Sequence, residues 1–172
     1  RDNGAETPFL RPSSLSDDIT DTISVIRHAN NFFERKGDFF SYICCIYPSA
    51  PFVSSKSLKT CLKLLKTNDA SFSFPISSYG HPISRAFSVN KDNFVELQKN
   101  NSINFRTQDL PEYYHDAGQF YWGTRDGWMK KNKIIGKEAI TFRLPRYLSQ
   151  DIDDLEDWKV AERLFYANKF LK

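Results

Sequence analysis

The sequence has no long apolar run, no internal repeat and no cysteine and histidine spacing that fits a zinc site. A membrane-spanning helix needs about 20 apolar residues in succession, so none is predicted. No signal peptide with basic, apolar and small-residue regions is present, which predicts a cytoplasmic protein. Cys44, Cys45 and Cys61 are the three cysteines. We expect free thiols, since adjacent residues face opposite sides of a strand.

Methionine is nearly absent: the single methionine is Met129, and the chain begins with Arg1. We therefore expect the chain to be a piece of a longer protein. Its 172 residues, 40% of them apolar and 15% aromatic, suffice for one globular domain with a core. The net charge of +3 is spread over acidic and basic clusters, so composition does not require nucleic acid or a membrane surface as a partner.

The spacing of apolar residues predicts alternating helices and strands. Helices are expected over 19–36, 55–67, 126–131 and from residue 155 onward, where the last is predicted to be amphipathic. Strands are expected over 39–47, 70–77 and 119–124, with 134–142 mainly extended. The continuous apolar run 39–47 predicts a strand buried on both faces. Between 78 and 107 the pattern weakens, which predicts strands with long excursions. The alternation favours an α/β fold with helices layered on a sheet.

Carboxylates cluster at a predicted strand-to-helix junction, where residues 150–158 read QDIDDLEDW. On an extended strand, Asp151 and Asp153 would share a face and lie close enough to hold one divalent cation. Oxygen ligands of this kind suit Mg²⁺. In the alternative interpretation, Asp153 or Asp154 caps the following helix and the acidic side chains interact with its dipole. Spacing alone leaves both interpretations open.

Three stretches together resemble a known family: GAETPFLRPSSLSDD at 4–18, YHDAGQFYWG at 114–123, and QDID with EDW within 150–158. They resemble CMP-sugar synthetases that activate nonulosonic acids, and among these the pseudaminic acid cytidylyltransferases. The middle stretch is the specific one, because sialic acid synthetases usually carry an Asn-Gly pair there. The resemblance implies a three-layer α/β/α, Rossmann-like fold and one cytidylyltransferase domain over 1–172. It also implies a homodimer in which residues 78–107 extend from the domain and contact the partner subunit.

The resemblance further implies a reaction, in which CMP is transferred from CTP to pseudaminic acid and pyrophosphate is released. The setting would be bacterial surface glycan or flagellin glycosylation. Asp151 and Asp153 would hold Mg²⁺, which stabilises phosphate charge during attack by the sugar hydroxyl. Arg11 would contact the nucleotide phosphates, since a guanidinium offers two donors to phosphate oxygens.

Other residues are expected, by the same resemblance, to bind substrate: Tyr47, Arg85, Arg106, Asp116, Gln119 and Tyr121. Arg85 and Arg106 would lie near the sugar carboxylate, while Gln119 and Tyr121 would line the sugar pocket. For each arginine the alternative is an ordinary solvated side chain, because most arginines are exposed.

The chain departs from the family pattern in lacking the Gly-Gly-Ser-Lys type loop that wraps the triphosphate. We therefore expect an N-terminally incomplete enzyme that is inactive on its own. Two alternatives remain open. One is a CMP-sialic or CMP-legionaminic acid synthetase, and the other is a non-catalytic, truncated nucleotidyltransferase that only binds a ligand or partner.

Overall fold

The computed structural model describes residues 2–97 and 104–170. Four α-helices lie in this part of the chain: α1 (Thr22–Glu34), α2 (Ser55–Thr67), α3 (Arg125–Lys130) and α4 (Leu155–Phe170). The strands are β1 (Tyr42–Ile46), β2 (Phe72–Ser78), β3 (Phe87–Val89), β4 (Val95–Leu97), β5 (Tyr114–Asp116), β6 (Phe120–Thr124) and β7 (Ala139–Arg143). Each predicted helix and strand has a counterpart, and α2 has the predicted bounds.

The main sheet is mixed and is centred on β2. Strand β6 lies between β1 and β2 and is antiparallel to both. Strand β5 pairs with the C-terminal half of β2, at Ile76–Ser78. Strand β7 is parallel to β2. Phe72 pairs with both Gly123 of β6 and Ala139 of β7, so these two strands flank β2 on opposite edges.

Helices cover both faces of the sheet. The core cluster on one face consists of Ile23, Phe72, Phe74, Tyr121 and Trp128. It joins α1 and α3 to the sheet. Neighbouring residues of a strand face opposite sides, and accordingly Trp122 donates its Nε1 to the carbonyl of Leu58 in α2, at 3.1 Å. This arrangement confirms the predicted α/β class and its three layers.

Helix α1 is shorter than predicted, because its N-terminus is held by local hydrogen bonds. The carboxylate of Asp17 accepts hydrogen bonds from the backbone N–H groups of Ile19 and Thr20, at 3.2 and 2.7 Å. These bonds favour a turn over a helix. The helix then begins after Asp21, whose side chain accepts from Ser24 N at 2.7 Å as an N-cap.

Strand β1 is also shorter than predicted, and the expectation that it is buried on both faces was wrong. Phe39 and Phe40 precede the strand and are 72% and 42% exposed, and Ile46 at its end is 51% exposed. Among the described strands, β1 pairs only with β6. In the described part of the chain, β1 is therefore an edge strand that is paired along one edge.

Helix α4 was predicted to be amphipathic, and Ala161 is its one buried residue among those described. Trp158 and Phe165 are 53% and 57% exposed. The acidic residues before α4 differ from expectation, because 149–154 form a loop and not a strand. No described helix combines the length and apolar character that crossing a membrane requires.

The region from 78 to 107 contains a separate hairpin of β3 and β4. Its large apolar residues are all more than half exposed: Phe87, Val89, Phe94, Val95 and Leu97. The part of this region at 98–103 lies outside the described residues.

Candidate active site

A β-bulge separates β5 from β6. Asp116 of β5 pairs with Ile76, and Trp122 of β6 pairs with Ser73. Between these two pairs, the five residues 117–121 therefore face only two residues of β2, Phe74 and Pro75. Within the bulge, Gly118 has a φ of 62°, in the left-handed region that glycine adopts without steric cost. Bulges redirect side chains and are over-represented beside active sites.

Three hydrogen bonds hold the bulge in place. Ala117 N donates to Pro75 O of β2 at 3.0 Å, and Tyr47 N, just after β1, donates to Gln119 O at 2.9 Å. The side chain of Gln119, which is 1% exposed, donates Nε2 to the carbonyl of Leu148 at 2.5 Å. The bulge thus connects β1, β2 and a short turn, Arg146–Leu148. This turn precedes the loop 149–154, which we call the acidic loop.

Asp151 lies directly against this bulge. Its half-buried side chain accepts a hydrogen bond from Ile152 N through Oδ1, at 3.0 Å. Its other oxygen, Oδ2, lies so close to Gly118 that a Cβ on that residue would stand 2.7 Å away. Asp151 therefore occupies the space that the missing side chain of Gly118 leaves open.

Two tyrosines and Asp116 lie beside the bulge. The hydroxyl of Tyr121 donates to Oδ2 of Asp116 in a short hydrogen bond. The rings of Tyr47 and Tyr121 make a T-shaped contact, with centroids 5.5 Å apart. The hydroxyl of Tyr47 shares a hydrogen bond with Thr22 Oγ1 of α1, at 2.8 Å. Thr22 thereby holds one of the predicted substrate-binding side chains.

Both tyrosines are held in their neutral form. Burial raises the pKa of Tyr121, and its hydrogen bond to the Asp116 carboxylate raises it further. Burial also raises the pKa of Tyr47, and the nearby carboxylates of Asp116 and Asp151 add to this effect. The two phenols can therefore donate hydrogen bonds near neutral pH, but they do not ionise to act as bases.

Asp153 differs from Asp151 in its surroundings. It is exposed, and within the described residues its carboxylate has no hydrogen-bond or ion-pair partner, while its backbone N donates to Asp157 Oδ2 at 3.1 Å. Asp154 caps α4, because its Oδ1 accepts from the N–H groups of Glu156 and Asp157 at 2.7 and 2.9 Å. The capping interpretation thus applies to Asp154 and leaves the Asp151 and Asp153 carboxylates available.

Asp151 and Asp153 are the predicted metal ligands of the acidic loop. No group of three or more acidic, histidine or cysteine side chains in the described parts of the chain is placed to hold a metal. Mg²⁺ typically uses one or two carboxylates, with water and substrate phosphates filling its remaining positions. Asp151 and Asp153 are two carboxylates of this kind, and their role as metal ligands stays a prediction.

The structure leaves the three predicted arginines apart from the bulge. Arg11 is exposed and donates Nε to Ser16 Oγ at 3.2 Å. Arg85 donates Nη1 to Thr107 Oγ1 at 3.0 Å and lines an open groove of about 680 Å³. Arg106 is exposed. Across residues 2–97 and 104–170, no hydrogen bond or ion pair joins any of them to the tyrosines or carboxylates at the bulge.

Sequence reasoning did not single out Gly118 or Thr22. An isolated glycine within a strand pattern is a known signal of a bulge, and Gly118 carried that signal. Thr22 offered no comparable signal, since its contact with Tyr47 joins residues that are distant in sequence. The prediction that Gln119 lines a sugar pocket stays a prediction, because its observed contact is with Leu148.

Comparison with known proteins places these features in context. No family model matches the chain. The chain is similar to the pseudaminic acid cytidylyltransferase of Campylobacter jejuni, with 34% identity over 165 residues, covering 96% of this chain and 71% of the relative. It is 29% identical over 160 residues to a Helicobacter pylori protein named as both a pseudaminic acid cytidylyltransferase and a UDP-sugar hydrolase, covering 92% of this chain and 30% of the relative. It is 22% identical over 161 residues to the Escherichia coli N-acylneuraminate cytidylyltransferase, covering 89% of this chain and 36% of the relative.

Proposed function

The chain belongs to the pseudaminic acid cytidylyltransferase family, and from this premise we propose that it serves the transfer of CMP from CTP to pseudaminic acid. The 34% identity, sustained over 96% of the chain, carries the proposal. In the reaction, the anomeric hydroxyl of the sugar attacks the α-phosphate of CTP and pyrophosphate leaves. The product would supply bacterial surface glycan or flagellin glycosylation in the cytoplasm, where CTP is found.

We propose that Asp151 and Asp153 hold the metal ion of this reaction. Cytidylyltransferases generally use a divalent metal, and oxygen-only donors favour Mg²⁺. When bound, Mg²⁺ supplies positive charge that offsets charge on the reacting phosphates. The protein contributes two carboxylates in different settings, one packed against the bulge and one exposed to incoming substrate.

The polar groups at the bulge are proposed to bind the sugar. Because Tyr47 and Tyr121 stay protonated, they do not remove the proton of the attacking hydroxyl. The O–H of Tyr121 is already donated to Asp116, so Tyr47 is the phenol proposed to donate to the sugar. The Asp116 carboxylate accepts from Tyr121, and its remaining lone pairs would accept from sugar hydroxyls. Gln119 is proposed to support this pocket by fixing the turn at Leu148.

The arginines are proposed to neutralise the acidic substrates. Arg11 would contact the nucleotide phosphates, and Arg85 and Arg106 would contact the sugar carboxylate. Of the three arginines, Arg85 lines an open groove, together with His81 and Phe87. A guanidinium suits both ligands, since it presents paired donors to carboxylate or phosphate oxygens.

We further propose that the β3–β4 hairpin mediates a homodimer. A lone two-stranded hairpin is marginally stable in water, and this one exposes five large apolar side chains. Contact with a second copy would cover them. Sedimentation velocity would test the proposal: the wild type should be dimeric and Phe94→Asp shifted toward monomer, whereas a monomeric wild type would contradict it.

The function is tested by measuring pyrophosphate release on the full-length protein that carries this chain. We expect turnover with CTP and pseudaminic acid in Mg²⁺, and none in excess EDTA. Asp151→Asn and Asp153→Asn should each abolish most of it, while Asp69→Asn, an exposed carboxylate in the turn after α2, serves as the matched control and should not.

Comparing sugars separates the remaining candidates. The 22% identity to an N-acylneuraminate cytidylyltransferase supports sialic acid as the second candidate substrate. Faster turnover of N-acetylneuraminic or legionaminic acid than of pseudaminic acid would favour that alternative. Absence of turnover with every nonulosonic acid, together with retained ligand binding, would favour a non-catalytic protein.

A further inference from the structure

Gly118 differs from the other glycines with positive φ. It has a φ of 62°, and an added Cβ would lie 2.7 Å from Asp151 Oδ2, 3.1 Å from Cγ and 3.2 Å from Cβ of the same residue. Gly4 and Gly37 have φ values of 83° and 91°, yet an added Cβ would meet nothing within 4 Å. The positive φ alone explains glycine at those two positions. At position 118, a side chain is also excluded because Asp151 occupies the space that its Cβ would need.

The backbone at Gly118 has little freedom to move away from Asp151. The residue before it is bonded to β2, and the residue after it accepts a hydrogen bond from Tyr47 N. The Gln119 side chain is bonded to Leu148, three positions before Asp151. A methyl group at 118 would therefore be accommodated by displacement of the Asp151 carboxylate, which is the free end of a side chain.

We infer that Gly118 is a positioning residue, which sets the location of the Asp151 carboxylate by leaving room for it. The inference rests on the proposed function, in which Asp151 holds the metal. The bulge would then act on Asp151 twice, through the Gln119 contact with the main chain and through the close approach of Gly118. Gly118 itself would touch neither the metal nor the substrate.

The test compares Gly118→Ala with Gly37→Ala in the full-length protein, because both variants place an alanine at positive φ and only the first meets Asp151. Mn²⁺ serves as a spectroscopic substitute for Mg²⁺, and its affinity in the presence of CTP is measured by electron paramagnetic resonance. Displacing the surroundings of a metal ligand typically weakens metal binding about 10–100-fold. We expect this loss for Gly118→Ala and no change for Gly37→Ala.

Kinetics add a readout that general destabilisation would not give. The Mg²⁺ concentration for half-maximal rate should rise about tenfold or more in Gly118→Ala, while the KM for CTP at saturating Mg²⁺ stays near that of the wild type. Circular dichroism melting checks that the variant folds. If it does not fold, Gly118→Asn replaces it, because asparagine tolerates positive φ better and still carries the clashing Cβ.

A double-mutant comparison assigns the effect to Asp151. In an Asp151→Ala background, adding Gly118→Ala should change Mn²⁺ affinity no further, since residues that act through one group are not additive. Wild-type Mn²⁺ affinity in Gly118→Ala, or an undiminished effect in the Asp151→Ala background, would overturn the inference alone. Failure of the wild type to bind Mn²⁺ would instead overturn the metal assignment, and the role of Gly118 with it.

Discussion

Removal of the Tyr121 hydroxyl tests whether the phenol and carboxylate pair at the bulge stabilises the fold. Tyr121 is 6% exposed, and its hydroxyl donates to the Asp116 carboxylate. A hydrogen bond to a charged group contributes about 1.5–3 kcal/mol. The lower end applies here, because Asp116 is only half-buried and water can replace part of the lost contact. Tyr121→Phe should therefore lower the free energy of unfolding by about 1.5 kcal/mol.

For a chain of this size, that loss corresponds to a fall in Tm of about 3–6 °C. Urea unfolding and thermal melting at pH 7 would measure it. Tyr114→Phe is the matched control, because the Tyr114 hydroxyl donates to Glu112 in an exposed pair, where such contacts contribute less. Equal stability of Tyr121→Phe and the wild type, or equal losses in the two variants, would refute the reasoning.

Three further predictions concern packing, acid stability and thiol reactivity. A Cβ at Gly123 would stand 2.4 Å from Nε1 of the fully buried Trp128, so Gly123→Ala should cost about 1–3 kcal/mol by overpacking; an unchanged urea midpoint would contradict this. Hydrogen bonds from Arg125 and then Asn30 hold the pKa of Glu34 below its usual 4.5. The stability that Glu34 contributes is therefore complete above pH 4.5 and lost as the pH falls through its lowered value. In urea unfolding, the difference between the wild type and Glu34→Gln should be full at pH 7 and shrink as the pH falls below 4.5. Burial raises the pKa of the three thiols to about 11 or 12, so their reaction with a disulfide reagent at pH 8 should be about tenfold or more slower than in urea, and equal rates would argue against burial.

Elements whose pattern is local could be predicted from the sequence. Helix α2 has the predicted bounds because Ser54 caps it, accepting from Ser57 N at 3.1 Å, and because Cys61 and Leu65 are buried at helical spacing. Both signals lie within a few residues of each other. The acidic loop was also identified locally, although its conformation was not.

Features that depend on distant contacts could not be predicted. Nothing near Phe39 reveals that β1 lies at an edge of the sheet, since that follows from strand order. The close approach of Gly118 to Asp151 likewise joins positions that are remote in sequence, and periodicity carries no information on it. The spacing of the carboxylates drew attention to Asp151 and Asp153, whereas the packing of Asp151 against the bulge required the structure.

The strand order of the sheet has a consequence for how the chain folds. Strands β1 and β2 follow one another in sequence, but β6 lies between them. During synthesis, neither can complete its pairing until residues 120–124 have emerged from the ribosome. Non-local pairing of this kind slows folding, and unpaired strands expose apolar edges to aggregation meanwhile. Refolding yield should therefore fall with protein concentration, and chaperones that shield unpaired strands would have most effect before β6 is made.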